Sequence, residues 1–301
     1  MGYWDDKPIN VASDTALIIE GGGMRCTYTA GVITAMMEAE IHFPHVYGVS
    51  AGASISGNYV MGDFDYMYGS FAGLGGQKET GGWDSWLAGK GYFNVENIYQ
   101  PGIMPGGAGP FKFADFKANP TKMTIQTFER DTGRTIVFTK DRDFTTPART
   151  MKCIQASSTM PIMMPSPEID GVHYYDGGLG RDYGILLHQA MSDGYKKFFI
   201  VHSRPQGYRR EPVKNEALYK AYFWKYPLVA KAIIGRTEPY NALLDEIAEL
   251  NRQGVAHSVF AENITISSGT LDRAELDRNF EMGLAQGRRQ VPEWKQWLGI
   301  E

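Results

Sequence analysis

The chain has 301 residues, enough for one large domain or two small ones with a buried core. Its 30 Lys and Arg against 34 Asp and Glu give a formal net charge of −4, which argues against a protein held on nucleic acid by bulk charge. Two cysteines, Cys26 and Cys153, exclude a disulfide framework and a four-cysteine zinc site. Glycine is in excess, with 35 residues, and because glycine costs backbone entropy this excess calls for a reason.

The first part of the chain twice repeats a strand, a turn and a helix. Residues 15–20 form a short apolar run typical of a buried strand, and residues 24–40 carry apolar side chains at helical spacing. A second strand is predicted over 45–50, and a helix rich in small residues over 51–61. Because strands that alternate with helices are typical of parallel sheets, we expect an α/β fold.

The rest of the chain predicts a hairpin, several single strands and mainly helices. Two alternating stretches, 122–130 and 134–139, flank a turn and predict the hairpin. A helix is predicted over 147–158, capped by Thr146 and beginning with Pro147. Strands are further predicted over 172–175 and 197–202 and near 260–267, and helices at about 213–234, 238–256 and 272–287. Residues 69–109 are dense in glycine without a clear period, and we expect a flexible cover over a site there.

The sequence predicts neither a signal peptide nor a membrane span. Residues 1–6 lack the basic and then apolar profile of a secretion signal, and no run of about 18 apolar residues occurs. We therefore expect a cytoplasmic protein with reduced thiols and at most peripheral contact with membranes.

The first motif with chemical potential is Gly48-Val-Ser50-Ala-Gly52, which fits the G-x-S-x-G nucleophile elbow. That chemistry needs a serine exposed on a tight turn between a strand and a helix, and the predicted elements on either side supply this context. The flanking glycines would let neighbouring backbone come close. The alternative is an ordinary serine that caps a helix in a glycine-rich turn.

The second motif is the triplet Gly21-Gly22-Gly23, followed by Met24 and Arg25. Backbone N–H groups at such a helix start suit a phosphate or a developing oxyanion. A dinucleotide-binding G-x-G-x-x-G fingerprint that begins at Gly21 would need glycine at position 26, which is Cys26. The Gly-Lys-Ser/Thr sequence of a P-loop is absent. An oxyanion hole and a tight turn that serves packing remain.

The third motif is Asp176-Gly177-Gly178, which follows a strand-like stretch. An aspartate at a strand end followed by two glycines could lie close to another loop. Taken alone, the motif is more typical of a routine turn, since Asp-Gly is among the commonest turn dipeptides.

The three motifs in this order resemble the patatin-like phospholipase family. The segment 156–161 (ASSTMP) resembles the one that precedes the family's Asp-Gly-Gly, and 193–196 with Arg204-Pro205 resembles its bacterial members. The resemblance covers residues 15–205, the expected catalytic core, and 206–301 is expected to be a mostly helical portion of the same domain. One position differs from the family's glycine motif, which usually ends in Gly but here ends in Cys26. We expect Cys26 to pack as a small buried residue.

The resemblance implies a three-layer α/β sandwich with a central, mainly parallel sheet, and a Ser–Asp dyad without histidine. Ser50 would be the nucleophile and Asp176 the general base, in hydrolysis of phospholipid or lysophospholipid esters through an acyl-enzyme. No cofactor and no metal is implied, and the oligomeric state stays open. The other implied site residues are Gly21, Gly22, Gly23, Met24 and Arg25 for the oxyanion hole, and Gly48, Gly52, Gly177 and Gly178 for the elbow and the turn.

Other functions are compatible with the same residues. A Ser–Asp–His triad of the α/β-hydrolase type would need a histidine after Asp176, and His188, His202 and His257 all qualify by chain order. A general carboxylesterase, an acyltransferase and a non-catalytic lipid-binding protein are further alternatives.

Two apolar stretches are candidates for the lining of an acyl pocket, although core packing is favoured for each residue. They are Met61, Phe64, Tyr66, Met67, Tyr68 and Phe71, and Met160, Ile162, Met163, Met164 and Pro165.

Overall fold

A single mixed sheet forms the centre of the molecule. The computed structural model describes residues 2–100, 102 and 106–300, and within them eight strands pair in the order β5-β6-β3-β2-β1-β7-β8, with β4 on β3. The strands are β1 (Thr15–Ile19), β2 (His45–Val49), β3 (Lys122–Glu129), β4 (Thr135–Thr139), β5 (Glu168–Ile169), β6 (Val172–Asp176), β7 (Lys197–Val201) and β8 (Ala256–Val259). The pairs β3–β2, β2–β1, β1–β7 and β7–β8 are parallel, and β4, β5 and β6 pair antiparallel.

Helices cover both faces of this sheet, which confirms the expected three-layer α/β fold. The helices of the described residues are α1 (Cys26–Glu38), α2 (Ala51–Met61), α3 (Phe64–Gly69), α4 (Trp83–Leu87), α5 (Val95–Ile98), α6 (Phe113–Ala118), α7 (Pro147–Ser158), α8 (Leu187–Ser192), α9 (Glu216–Tyr222), α10 (Pro227–Gly235), α11 (Thr237–Arg252) and α12 (Arg273–Leu298). None of them is both long and apolar enough to cross a bilayer.

Strand β1 shows how the two layers arise. All five of its residues are buried, as is usual for a strand covered on both faces. Leu17 and Ile19 belong to the larger apolar cluster, whereas Ala16 and Ile18 belong to the cluster on the other face, because side chains alternate along a strand.

Helix α12 packs along α1 at very short range. A Cβ added to Gly31 would lie 2.1 Å from the carbonyl oxygen of Phe280, and one added to Gly283 would lie 2.0 Å from that of Tyr28. Any side chain at these two glycines would separate the helices. Part of the glycine excess therefore serves helix packing.

Several predicted elements are confirmed, with small shifts at their ends. The hairpin forms from β3 and β4, and α7 begins at Pro147 after Thr146, whose side chain accepts a hydrogen bond from the amide of Arg149. Strand β7 and helix α2 also occur where the sequence predicts them.

The C-terminal predictions are partly wrong. The strand predicted near 260–267 is instead β8, because Gly254 at φ +71° ends the preceding helical segment and frees Ala256–Val259 to pair with β7. The helix predicted over 213–234 is two helices, since Pro227 cannot donate to the preceding turn and begins α10 instead. The last helix continues to Leu298 through Pro292.

The glycine-dense segment 69–109 consists of short helices and turns in its described part. Gly69, Gly73 and Gly106 pack directly on one another, since a Cβ on Gly106 would lie 2.0 Å from the carbonyl oxygen of Gly69. Residues 101 and 103–105 lie outside the described part. That the segment is flexible stays a prediction.

Candidate active site

Ser50 lies on a tight, strained turn between β2 and α2. Its φ of +58° and ψ of −132° are sparsely populated for a residue with a side chain. Neither flanking glycine has room for a side chain. A Cβ on Gly48 would lie 2.4 Å from the carbonyl oxygen of Gly52, and a Cβ on Gly52 would lie 2.4 Å from the carbonyl oxygen of Ile19. The turn therefore has the geometry that the G-x-S-x-G motif predicts.

Asp176 reaches Ser50 through the pairing of β3. Strand β4 occupies one edge of β3, so β2 and β6 both pair along the other edge, one after the other. Val49 pairs with Gln126 and Asp176 pairs with Thr127, the next residue. The last residue of β6 consequently meets the end of β2, although 126 residues separate the two side chains (176 − 50).

The buried carboxylate of Asp176 lies beside the hydroxyl of Ser50. Its Oδ1 accepts the amide of Gly178 at 2.7 Å, and the Ser50 hydroxyl is close enough to favour the ionised form of the carboxylate. Burial raises the pKa of Asp176, and these two groups together with the charges of Arg236 and Arg210 limit the rise. Gly177 has no room for a side chain, since a Cβ there would lie 2.0 Å from the carbonyl oxygen of Gln126.

The backbone of Ser50 is held by α7. Its amide donates to the Oγ of Ser157 at 3.0 Å, and that hydroxyl donates to the carbonyl oxygen of Gln126 at 2.7 Å. Sequence reasoning missed Ser157, because a serine inside a helix carries no signal of a contact 107 residues away.

None of the six histidines, all of which lie in the described part of the chain, contacts Ser50 or Asp176. His188 bonds to Asp182 and Glu246, each at 2.9 Å. His202 contacts Glu20 and Ser258, and His257 stacks on Phe199. The three remaining histidines bond to Thr121, Thr124 and Ser166 among others.

The glycine triplet runs directly beside Ser50, since a Cβ on Gly21 would lie 2.9 Å from the Cβ of Ser50. In two of the five predicted oxyanion residues, the backbone amide already donates a hydrogen bond within the protein. Gly21 donates to the carbonyl oxygen of Gly184 at 3.1 Å, and Met24 donates to that of Ser268 at 3.0 Å. For the amides of Gly22 and Gly23, the structure shows no acceptor among the described residues. Within the glycine triplet, Gly22 and Gly23 therefore remain the candidate oxyanion donors.

A buried carboxylate anchors the glycine triplet. The Oε2 of Glu20 accepts the amide of Ser203 at 2.8 Å, and its Oε1 accepts the hydroxyl of Tyr240 at 2.6 Å. Burial would raise the pKa of Glu20, but His202 and these donors hold it below its ordinary value. The Oγ of Ser203 also donates to the carbonyl oxygen of Gly21 at 2.8 Å. Sequence reasoning missed Glu20, although a charged residue that closes an apolar strand is a detectable signal.

Cys26 packs as a small buried residue, as expected. Its sulfur lies 3.5 Å from the carbonyl oxygen of Glu20, and burial raises the thiol pKa to about 12. The cysteine therefore replaces the usual glycine without blocking the triplet.

Ser50 lies where two cavities of opposite character meet. One is mainly apolar, and four candidate acyl-pocket residues line it: Tyr66, Phe71, Met160 and Met164. Further walls come from the segment 69–109, namely Leu74, Phe93, Ile98 and Tyr99. The other cavity is lined by Asp176, the glycine triplet and four arginines, Arg25, Arg204, Arg210 and Arg236. Ser50, Gly23 and Met160 belong to both cavities.

Comparisons with known proteins give matches to two family models and to a solved structure. The family model described as patatin-like phospholipase matches residues 17–187, and a domain of unknown function (DUF6363) matches residues 226–299. No curated protein matches the chain. Among solved structures, VipD from Legionella pneumophila is similar with a TM-score of 0.45 and 12% sequence identity, over 94% of this chain and 67% of that chain. Since the phospholipase model covers more than half of the residues, the chain belongs to the patatin-like phospholipase family, whose members are lipid acyl hydrolases.

Proposed function

We propose that the protein is a serine acyl hydrolase that cleaves carboxylic esters of lipids with Ser50 and Asp176. The observation that carries this proposal is the strained Ser50 beside the buried carboxylate of Asp176, at the junction of an apolar and a cationic cavity. Backbone strain at a residue with a side chain marks functional sites, because folding alone gains nothing from it. A purely lipid-binding protein would not need this strain.

In the proposed reaction, the Oγ of Ser50 attacks the ester carbonyl while its proton passes to Asp176. The amides of Gly22 and Gly23 donate to the oxyanion of the tetrahedral intermediate. Collapse breaks the bond to the alcohol, which leaves with the proton from Asp176, and an acyl-enzyme remains on Ser50. Water then attacks the acyl-enzyme while one of its protons passes to Asp176. Collapse of this second intermediate breaks the bond to Oγ of Ser50, which takes the proton back from Asp176, and the fatty acid is released. The acyl chain would occupy the apolar cavity.

The burial of Asp176 compensates for the weakness of a carboxylate as a base. An ordinary aspartate has a pKa of about 3.9 and accepts a serine proton with little driving force. Burial raises the pKa of Asp176, which brings its basicity closer to that of a useful proton acceptor.

The pH dependence of fatty-acid release tests this function, with Ser50→Ala as the blank. Asp176 acts as a base only when ionised, so kcat/KM should fall as pH drops through its raised pKa, at a higher pH than an ordinary carboxylate would give. Arg236→Gln removes a charge that favours ionisation and should move this acid limb to higher pH, whereas Arg252→Gln, at the other end of α11, should not. A limb near pH 6.5 that a histidine substitution removes would contradict the dyad.

We further propose that α4 contacts the surface of the lipid aggregate. Trp83 and Leu87 are 64% and 75% exposed, and the indole of Trp86 donates to the carbonyl oxygen of Ile162 at 3.0 Å, beside the apolar cavity wall at Met160. An exposed apolar patch next to a cavity for acyl chains fits a lipid surface, because insertion would hide the patch and open a short path for the chain.

Paired substitutions on two exposed patches test the contact of α4 with lipid. Trp83→Gln with Leu87→Gln should weaken sedimentation with phosphatidylcholine vesicles about tenfold or more, since each side chain buried fully contributes about 1.5–3 kcal/mol. The matched control is Trp224→Gln with Leu218→Gln, which alters side chains of similar exposure (71% and 67%) near α9. Equal losses for the two pairs would contradict the assignment to α4.

A further inference from the structure

The cationic cavity beside Ser50 holds more positive charge than its own residues balance. Arg25, Arg204, Arg210 and Arg236 line it together, although the chain as a whole has a formal net charge of −4. Among the described residues, no carboxylate forms an ion pair with any of the four. We call these four residues the arginine cluster.

Three members of the arginine cluster carry a buried donor with no acceptor. The Nε atoms of Arg25, Arg210 and Arg236 are shielded from solvent, and none has a hydrogen-bond partner within the described part of the chain. An unsatisfied buried donor is costly, more so on a charged group. Burial and the repulsion of Arg210 lower the pKa of Arg236 to about 10, because neighbouring groups compensate its charge only in part. The chain therefore satisfies these guanidinium groups only in part, and all of them line the cavity.

The two carboxylates that line the cavity do not meet this demand. Glu20 is engaged by Ser203, Tyr240 and His202, and Asp176 by Ser50 and Gly178. Even counted in full, two negative charges face four guanidinium groups. A group with two negative charges would restore the balance, and guanidinium forks bind phosphate oxygens in a bidentate manner.

We infer that the arginine cluster binds the phosphate of the substrate lipid, so that the protein prefers esters with a phosphomonoester headgroup over zwitterionic and uncharged ones. This inference rests on the proposed function, because it assigns the alcohol side of the ester to the cationic cavity. The two cavities meet at Ser50, so an acyl chain in the apolar one leaves the glycerol and its phosphate on the side of the arginines. A choline headgroup would instead bring a cation toward four cations.

Three of the four arginines lie beyond the region that the phospholipase model matches. Arg204, Arg210 and Arg236 all follow residue 187, where the match to the phospholipase model ends. Arg210 stacks on the ring of Tyr240 at 4.5 Å, and Arg204 on that of Tyr208 at 4.1 Å, which holds both guanidinium groups in place. The C-terminal portion thus completes the site.

Three soluble esters with one short acyl chain test the preference: a lysophosphatidic acid, the matching lysophosphatidylcholine and the matching monoacylglycerol. Wild-type kcat/KM should be at least about tenfold higher for the phosphomonoester, as expected for charge-assisted hydrogen bonds. Arg236→Gln and Arg210→Gln should each reduce the ratio of phosphomonoester to monoacylglycerol about tenfold, mainly through KM, and Arg236→Lys should restore part of it. The ratio cancels any general effect on Asp176. Arg252→Gln should leave the ratio unchanged.

Calorimetric binding to the Ser50→Ala protein separates this inference from the proposed function. Lysophosphatidic acid should bind to this variant, and Arg236→Gln should weaken that binding about tenfold. If the wild type hydrolysed no ester but this binding were observed, only the proposed function would be overturned. An unchanged selectivity ratio, or binding that Arg236→Gln does not weaken, would overturn the headgroup site. Inorganic phosphate that binds as tightly as the lipid would assign the cluster to free phosphate and equally overturn it.

Discussion

Asp176→Asn is expected to lower kcat for ester hydrolysis about 10³-fold or more, because an amide cannot take the proton of Ser50. Asparagine has nearly the same shape, and its carbonyl oxygen can still accept the amide of Gly178, so the turn after β6 should persist. KM should change far less than kcat, since the carboxylate acts on the reacting atoms. Steady-state fatty-acid release measures both constants.

Asp182→Asn is the matched control for this substitution. Asp182 is also buried, and it also accepts a backbone amide, that of Gln189 at 2.9 Å, but its side-chain partner is His188. The variant should lose stability and keep kcat. An inactive His257→Ala together with an active Asp176→Asn would contradict the dyad and favour a histidine-dependent triad.

Gly23→Ala is expected to reduce kcat about 10²–10³-fold, the usual effect of losing one oxyanion donor. Gly23 has φ +58°, and a Cβ there would lie 2.6 Å from the carbonyl oxygen of Ser268. That oxygen accepts the amide of Met24, so relief of the clash would displace the loop that carries the amides of Gly22 and Gly23. Single-turnover acylation kinetics would measure the effect on the chemical step.

Gly207→Ala separates this catalytic effect from simple backbone strain. Gly207 also has a positive φ, +81°, but a Cβ there would meet nothing within 4 Å. Both alanines strain the backbone by a similar conformation, with a cost of about 1–2 kcal/mol in stability. Only Gly23→Ala should slow acylation; an equal kcat for Gly23→Ala and the wild type would remove the triplet from the proposed mechanism.

The local features of the site could be predicted because neighbouring residues determine them. The elbow at Ser50 and the triplet at Gly21–Gly23 are turns between a strand and a helix, and glycine spacing together with apolar runs indicates both. The sequence also predicted β1, β2, the hairpin and α7, since each has its own periodicity or cap.

The long-range features could not be predicted from the residues alone. That Asp176 faces Ser50 depends on β2 and β6 sharing one edge of β3, a pairing that no local pattern encodes. Only the resemblance to a family joined the two residues. Arg210 and Arg236 line the same cavity without a local signal for a similar reason, because the loop before α9 and the junction of α10 and α11 come to Ser50 from far along the sequence.

Strand β8 shows how tertiary pairing overrides local pattern. The helix predicted from the sequence runs to residue 256, yet residues 256–259 pair with β7 along the open edge of the sheet. Residues 260–267 have the apolar character of a strand, but Ala261 and Ile266 are buried in the cluster that α12 covers, without a strand partner.

Covalent labelling with a fluorophosphonate, located by mass spectrometry of the digested protein, tests the central claim most directly. The claim is that Asp176 activates Ser50 without a histidine. The account predicts that the label is on Ser50, that Asp176→Asn slows labelling by orders of magnitude, and that His188→Ala and His257→Ala are labelled at the wild-type rate. A folded wild-type protein without label on Ser50, or a rate that depends on a histidine and not on Asp176, would contradict it.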